Sequence, residues 1–345
     1  MSLRLLLGLL LACLLPSTPA RAAAVCTATA DALLPFGNVN SGAAGPTSGT
    51  LNITVTCTTA ALSLLATTGV RVCVGIGNGT GGSTTTPWRT MVNGSGDTLN
   101  FQLYNTSNYS QVTGLTPRGV PPAQELTMTY NVPLLTGGSG AQSVQLFAQI
   151  PANQVLASGS YSSTFSGASV VLTWAWNEVL LGNATVPATC NGGATGTNTA
   201  SNAFTFNATA NVLPQCGSYL TTTMNFGNVT GGIPANIDQT ATLTLTCLKR
   251  TAFQISLDNG QNNPALSSTR RMRTTIGSNN YYLTYELYRD AARSQRWGNT
   301  LNVDTFSGVG TGSAQPLTIY GRVPPVSGQP PAGTYNDLVQ VTITY

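Results

Sequence analysis

Cys26, nine residues, then Phe36-Gly37-Asn38-Val39 open one half of this chain, and Leu51-Asn52-Ile53-Thr54-Val55-Thr56-Cys57 closes the passage. Cys216, nine residues, then Phe226-Gly227-Asn228-Val229 open the other half, and Leu243-Thr244-Leu245-Thr246-Cys247 closes it. The two passages have the same length, and Phe-Gly-Asn-Val stands in register in both. The likeness runs on: Val72 to Gly79 matches Phe253 to Gly260, and Leu99 to Tyr104 matches Leu283 to Tyr288. Gly140 to Pro151 matches Ser313 to Pro324, and Gly159-Ser160-Tyr161 matches Gly333-Thr334-Tyr335. Self-similarity on this scale marks a tandem duplication, one fold written twice.

The repeated passages alternate apolar and polar residues, the period of a half-buried strand. With 345 residues the chain is long enough for two domains. Charged residues make up 7% of it, Lys249 is its single lysine, and 37 glycines punctuate the Val, Thr, Leu and Tyr runs. That composition disfavours helices and predicts an all-β chain of two tandem immunoglobulin-like sandwiches. The net charge of +4 is too small to argue for nucleic acid.

The N-terminus reads as a signal peptide over residues 1–24: Arg4, then the apolar run Leu5 to Leu15, then Ala22-Ala23-Ala24 as a cleavage site. The run is too short for a good membrane anchor. Export agrees with the cysteines. Cys13 leaves with the signal and six remain, an even number suited to pairing in an oxidising compartment. Register makes Cys26–Cys57 and Cys216–Cys247 equivalent bridges. Cys73 and Cys190 have no counterpart in the second copy and are expected to pair with each other. The chain has no His and no CxxC, its carboxylates form no recognisable acid–base pair, and it carries no phosphate-binding Gly-Lys-Ser/Thr loop. No enzyme activity, metal or cofactor is expected.

The two copies differ most at their ends. The first runs on past Trp174 and Trp176 into an alternating stretch with Phe204, Phe206, Ala208, Ala210 and Val212 on one face. The second stops at Leu338 to Tyr345, with Val339, Val341, Ile343 and Tyr345 on its apolar face. The first sandwich, residues 25–213, is therefore expected to complete itself. The second, residues 214–345, is expected to lack its final strand. An unfinished apolar edge invites a partner strand, so Val339, Val341, Ile343 and Tyr345 are the candidate edge of an acceptor groove.

The Cys…Phe-Gly-Asn-Val opening, the cysteine ending the second strand, and the Gly333-Thr-Tyr-x-Asp-x-Val-x-Val-Thr-Ile-Thr-Tyr345 ending resemble the spore coat protein U domain family. The resemblance covers essentially the whole chain after the signal. It implies a subunit of an archaic, Csu-type chaperone-usher pilus. Its implied partners are a periplasmic chaperone, an outer-membrane usher and the next pilin subunit, which donates a strand. A shaft subunit of the family has one incomplete domain behind a donor segment. Here Cys26 follows the expected cleavage site almost directly, so the chain is expected to accept a strand without giving one, the position of a tip adhesin at the cell surface.

Apolar residues in polar loops are the candidates for contact with an abiotic or host surface. Leu62, Leu64 and Leu65 follow the second strand, Val179, Leu180 and Leu181 follow the sixth, and Leu134 and Leu135 sit in a Gly-flanked loop. Loops after the second and sixth strands of such a sandwich share a pole. Trp88, Trp174 and Trp176 are the candidates for a ligand pocket, with core packing the competing assignment for Trp174 and Trp176. Arg270, Arg271, Arg273, Arg289, Arg293 and Arg296 are expected in loops, as a solvated face. A structural coat or shaft protein without adhesive role is the alternative, in which the strand before Cys216 completes the chain's own second domain.

Overall fold

The computed structural model describes residues 23–61, 65–82, 87–264 and 268–345. Residues 1–22 of the expected signal segment, and the loop residues Leu62 and Leu64, lie outside the described residues. The chain is all-β, as expected, and forms two compact units. The first ends at Ala210 and the second runs from Asn211 to Tyr345, with the segments Asn38–Ala43 and Asn153–Ser160 grouped with the second.

The first unit holds β1 (Ala24–Ala30), β2 (Leu33–Val39), β3 (Thr47–Thr59), β4 (Ala66–Ile76), β5 (Arg89–Asn93) and β6 (Thr98–Tyr104). It continues with β7 (Gln124–Val132), β8 (Gly138–Ile150), β9 (Gly159–Phe165), β10 (Val170–Leu180), β11 (Gly196–Ser201) and β12 (Phe206–Val212). One sheet runs β1-β3-β8-β6-β5-β9-β12-β2 and the other β11-β10-β4-β7. Alternation decides which side chains go inside. Leu51, Ile53, Val55 and Cys57 of β3 are fully enclosed, and Leu51 stands opposite Leu146 of β8. Phe206, Ala208, Ala210 and Val212 of β12 are likewise buried, and the Phe206 ring stacks on Phe165 at 4.4 Å. β12 thus closes its own sandwich by lying between β9 and β2, where Asn207 N–H donates to the Ala32 carbonyl at 3.0 Å. That placement argues against β12 completing the second domain. Trp174 and Trp176 are core residues, and Trp174 Nε1 donates to the Ala24 carbonyl at 2.8 Å.

The second unit repeats the plan with β13 (Cys216–Thr221), β14 (Ile237–Cys247), β15 (Ala252–Leu257), β16 (Arg270–Ile276), β17 (Asn279–Tyr288), β18 (Phe306–Val309), β19 (Ala314–Val323) and β20 (Val341–Thr344). Its sheets run β13-β14-β19-β17-β16 and β18-β15-β20. Leu243, Leu245, Ile255, Leu257 and Trp297 form the centre of its core. The bridges are Cys26–Cys57, Cys73–Cys190 and Cys216–Cys247. The first and last join directly opposed residues of neighbouring strands.

The arginines correct the expectation drawn for them. Arg270, Arg271 and Arg273 belong to β16 and not to a loop, and Arg270 is fully buried. Burial of a guanidinium is tolerable only when its donors are all engaged. Arg270 forms an ion pair with Glu286 and donates to the carbonyls of Leu257, Asp258 and Trp297. Arg89 occupies the equivalent place in the first unit, bound to the carbonyls of Ile76, Gly77 and Thr113 and to Gln102 Oε1. A neutral amide thus replaces the carboxylate there, and burial lowers the Arg89 pKa to about 9.

Candidate functional site

The register of three neighbouring strands places the loop leucines. Ala66, the first residue of β4, lies opposite Leu180 of β10 on one side and Val132 of β7 on the other. The chain therefore leaves the sheet at one end in three places: before Ala66, after Leu180 and after Val132. Leu65, Pro133 and Leu181 follow directly and meet. They line one cavity of about 490 Å³ together with Thr67, Asn131, Val132, Gly182 and Asn183. Among the described residues, no ionisable side chain lines it.

Hydrogen bonds fix these loops to one another. Leu181 N–H donates to the Leu65 carbonyl at 2.9 Å, and Thr67 Oγ1 donates to the Gly182 carbonyl at 2.7 Å. The third loop closes through Gly137 and Gly138. A Cβ at Gly138 would stand 2.1 Å from the Asn131 carbonyl oxygen, so the loop fits only with glycine there. On the core side of the same strand ends lies a buried polar row outside the cavity lining. Glu178, Thr68 and Tyr130 form one cross-strand row, and the Tyr130 hydroxyl is hydrogen-bonded to Thr59 Oγ1 at 2.9 Å. Burial pushes the Tyr130 hydroxyl pKa up, and the neighbouring Glu178 adds to that rise.

At the pole the large aliphatic side chains face water. Leu65, Leu134, Val179 and Leu180 are exposed, Leu181 is 74% exposed and Leu135 is 76% exposed. Leu135 (φ 64°) and Leu181 (φ 54°) both have left-handed backbone. That region costs an L-residue roughly 1–2 kcal/mol. Both leucines have their side chains in solvent, so side-chain burial does not offset that cost. Sequence pattern picked out the three apolar loops but gave no place to Thr67, Asn131 and Asn183, which join the cavity lining only through strand register.

The second unit offers a different feature. Residues 222–230, which include Phe226-Gly227-Asn228-Val229, carry no strand, and neither do residues 333–340. In the first unit the equivalent segments are β2 and β9, with β12 between them. The single bridge Arg273–Asn336 ties residues 333–340 to the edge strand β16. Among the described residues no strand lies beyond it. Val341 and Ile343 sit in β20 opposite Leu257 and Ile255, and Val339 lies in the irregular segment before it. These three and Phe226 pack only partly buried against the second core, while Val229, Leu338 and Tyr345 are exposed.

Of the metal-binding residue types, Cys73, Glu125 and Cys190 lie close together. The two sulfurs are bonded to each other and Glu125 is ion-paired with Arg71 at 2.6 Å, so the group presents no thiolate.

The model of the Spore Coat Protein U domain family matches residues 12–167 and 202–342. Protein U of Myxococcus xanthus is 37% identical over 134 residues, covering 36% of this chain and 72% of that protein. Among solved structures, the chain is similar to the CsuC–CsuE chaperone–tip adhesion subunit pre-assembly complex from archaic chaperone-usher Csu pili of Acinetobacter baumannii. The identity is 17%, the coverage 94% of this chain and 100% of that one, and the TM-score 0.40. It is also similar to the CupB6 tip adhesin of Pseudomonas aeruginosa, at 11% identity, 94% and 95% coverage and a TM-score of 0.34.

Proposed function

The chain belongs to the Spore Coat Protein U domain family, and from that membership we propose that it is the tip subunit of an archaic chaperone-usher pilus, attaching cells to apolar surfaces in biofilm formation. The observation that carries this reading is the gathering of three loops at one pole with Leu65, Leu135 and Leu181 held out into solvent. Backbone strain kept at an exposed tip points to use rather than to packing. Each leucine buried against an apolar surface is worth about 1.5–3 kcal/mol before ordering costs. The hydrogen bond from Leu181 to Leu65 lowers that ordering cost by fixing two of the loops in advance.

The second unit, in this reading, takes a strand between residues 222–230 and 333–340, first from a periplasmic chaperone and then from the next pilin subunit after export through an outer-membrane usher. Val339, Val341 and Ile343 would lie under the incoming strand. A free edge beside partly covered apolar side chains is what such a strand would repair.

The test is retention of the full chain on octyl-coated beads against Leu65→Ser/Leu135→Ser/Leu181→Ser, with the chaperone co-expressed for both. The triple variant is expected to keep its fold and lose most of its retention. Equal retention would end the attachment reading and favour a coat or shaft protein without adhesive role.

A further inference from the structure

The chain between Leu181 and Cys190 forms no strand, yet its course is regular. After β10 it turns back and runs along the outer face of β4, the side away from the core. The outward residues of β4 are Thr67, Gly69, Arg71 and Cys73, and each meets it in turn. Thr67 Oγ1 donates to the Gly182 carbonyl at 2.7 Å. A Cβ at Gly69 would stand 2.7 Å from the Thr185 carbonyl oxygen, so only glycine lets the segment lie this close. Arg71 Nε donates to the Pro187 carbonyl at 2.7 Å, while its Nη1 is held by Glu125. Cys73 is bonded to Cys190, and with Ala123 the pair forms a small buried cluster apart from the sandwich core.

From the side, Asn177 Nδ2 donates to the same Thr185 carbonyl at 2.8 Å. The segment is therefore a strap with two fixed ends. One end is the disulfide. The other is Leu181, strained and exposed, with its N–H on the Leu65 carbonyl. The second unit has β15 (Ala252–Leu257) in place of β4, and among the described residues it carries no counterpart of the strap.

We propose that the strap Leu181–Cys190 is a positioning device for the leucine pole, and that Cys73–Cys190, Arg71 and Gly69 are its positioning residues. This rests on the pole being the attachment surface. A loop tip free to move loses contact energy to ordering each time it binds. A strap anchored on the central strand β4 removes that loss, and it passes force applied at Leu181 into the core of the sheet. The bridge does more here than shorten the unfolded chain.

The experiment uses the full chain carrying Cys73→Ala/Cys190→Ala, Gly69→Ala or, for comparison, Cys26→Ala/Cys57→Ala, each with its chaperone. Exchange of the Leu181 amide, which donates to the Leu65 carbonyl, is expected to speed up about tenfold in the first two while residues 70–76 stay protected. Retention on octyl-coated beads is expected to fall about threefold in the same two, as a pre-ordered contact becomes a mobile one. Cys26→Ala/Cys57→Ala removes a bridge from the same unit without touching the strap, and is expected to leave both readings at the wild-type level. Unchanged exchange at the Leu181 amide, or an equal loss of retention in all three variants, would overturn the proposal. Leu181→Ser separates the two claims: if it retains as well as wild type, the attachment reading fails, whatever the strap does to exchange.

Discussion

Phe36-Gly37-Asn38-Val39 and Phe226-Gly227-Asn228-Val229 are the same four residues in two structural states. The first belongs to β2, with Phe36 and Val39 in the core. The second is irregular chain, Phe226 is only partly covered, and Val229 is 48% exposed against 2% for Val39. Local propensity is identical, so it does not decide the difference. The neighbour does. β2 pairs with β12, whereas among the described residues no strand pairs with residues 226–229. The same holds on the other flank, where Gly159–Phe165 is the strand β9 and residues 333–339 are not a strand. Among the described residues both segments stand outside any sheet, and Leu283, Val339, Val341 and Ile343 are only partly buried where Leu99, Phe165, Val170 and Leu172 are fully buried.

The largest effects come from exchanging those states. Phe206→Ala removes the ring stacked on Phe165 and is expected to destabilise the first unit by about 3–5 kcal/mol. Amide exchange over residues 33–39 should then approach that of residues 223–229. In the other direction, a peptide copying Phe204 to Val212, added to the full chain, should raise the melting transition of the second unit. At 100 times its Kd the gain is about 2.7 kcal/mol. A peptide without effect on that transition, with residues 223–229 still exchanging freely, would break the comparison.

Both states trace back to features of different legibility. The alternation of Phe204 to Val212 and the paired spacing of the cysteines are local patterns, and the structure uses them as strand β12 and as bridges across neighbouring strands. Leucines among Thr, Gly and Asn stood out because aliphatic loops are costly in water. The irregular state of residues 226–229 was not legible, because it depends on a strand that would sit elsewhere in the sheet. Neither was the burial of Arg270, since an Arg-Arg-Met-Arg run resembles a solvated surface until Glu286 is brought across from β17. The strap had no periodicity at all. Its only traces were Gly69 and a pair of cysteines without a counterpart.

The buried arginines offer the next exchange. Arg270 faces Glu286, and Arg89 faces Gln102 in the same position. Glu286→Gln would rebuild the Arg89 arrangement in the second unit, keeping a hydrogen bond and losing the charge. Because Glu286 also binds Arg296 at 3.0 Å, the loss is expected to be about 2–3 kcal/mol, below that of deleting a buried partner outright. Gln102→Glu should leave the first unit at least as stable as before, since it supplies the charge that Arg89 lacks. Thermal melts of the two variants check the pair, and a loss of stability in Gln102→Glu would show that the arginine is satisfied by carbonyls alone.

A smaller contrast lies within the first unit, between its core and its pole. Leu181→Gly relieves left-handed backbone at a residue with little burial to lose, for an expected net gain of about 0.5–1 kcal/mol after the entropy of glycine is counted. Leu135→Gly should behave alike. Retention on octyl-coated beads should fall in both. Higher melting temperature with weaker attachment is the signature of strain kept for use, and lower stability in both variants would instead mean that the leucines hold the loops together.

The smallest exchange concerns one cross-strand pair. Ser48 stands opposite Gln149 in the first unit, and Asp238 opposite Arg322 at the equivalent place in the second. Asp238 accepts from Arg322 Nε at 2.7 Å and from Arg322 Nη2 at 2.8 Å, with Arg293 at 3.3 Å. The hydrogen bond from Arg322 holds the Asp238 carboxyl below its ordinary value, with the charge of Arg293 acting in the same direction against a small cost of burial. A carboxylate with a depressed folded-state pKa stabilises above its unfolded value, and the contribution is lost as pH falls through the folded one. Acidification through the carboxylate range should therefore loosen the β14–β19 seam and leave β3–β8, which has no charge at that pair, unchanged. Solvent screens this pair and so the effect is the least of the four. Amide exchange over residues 237–241 against 47–51, followed from neutral pH downward, reads it directly, and Asp238→Ser/Arg322→Gln should make the two seams respond alike.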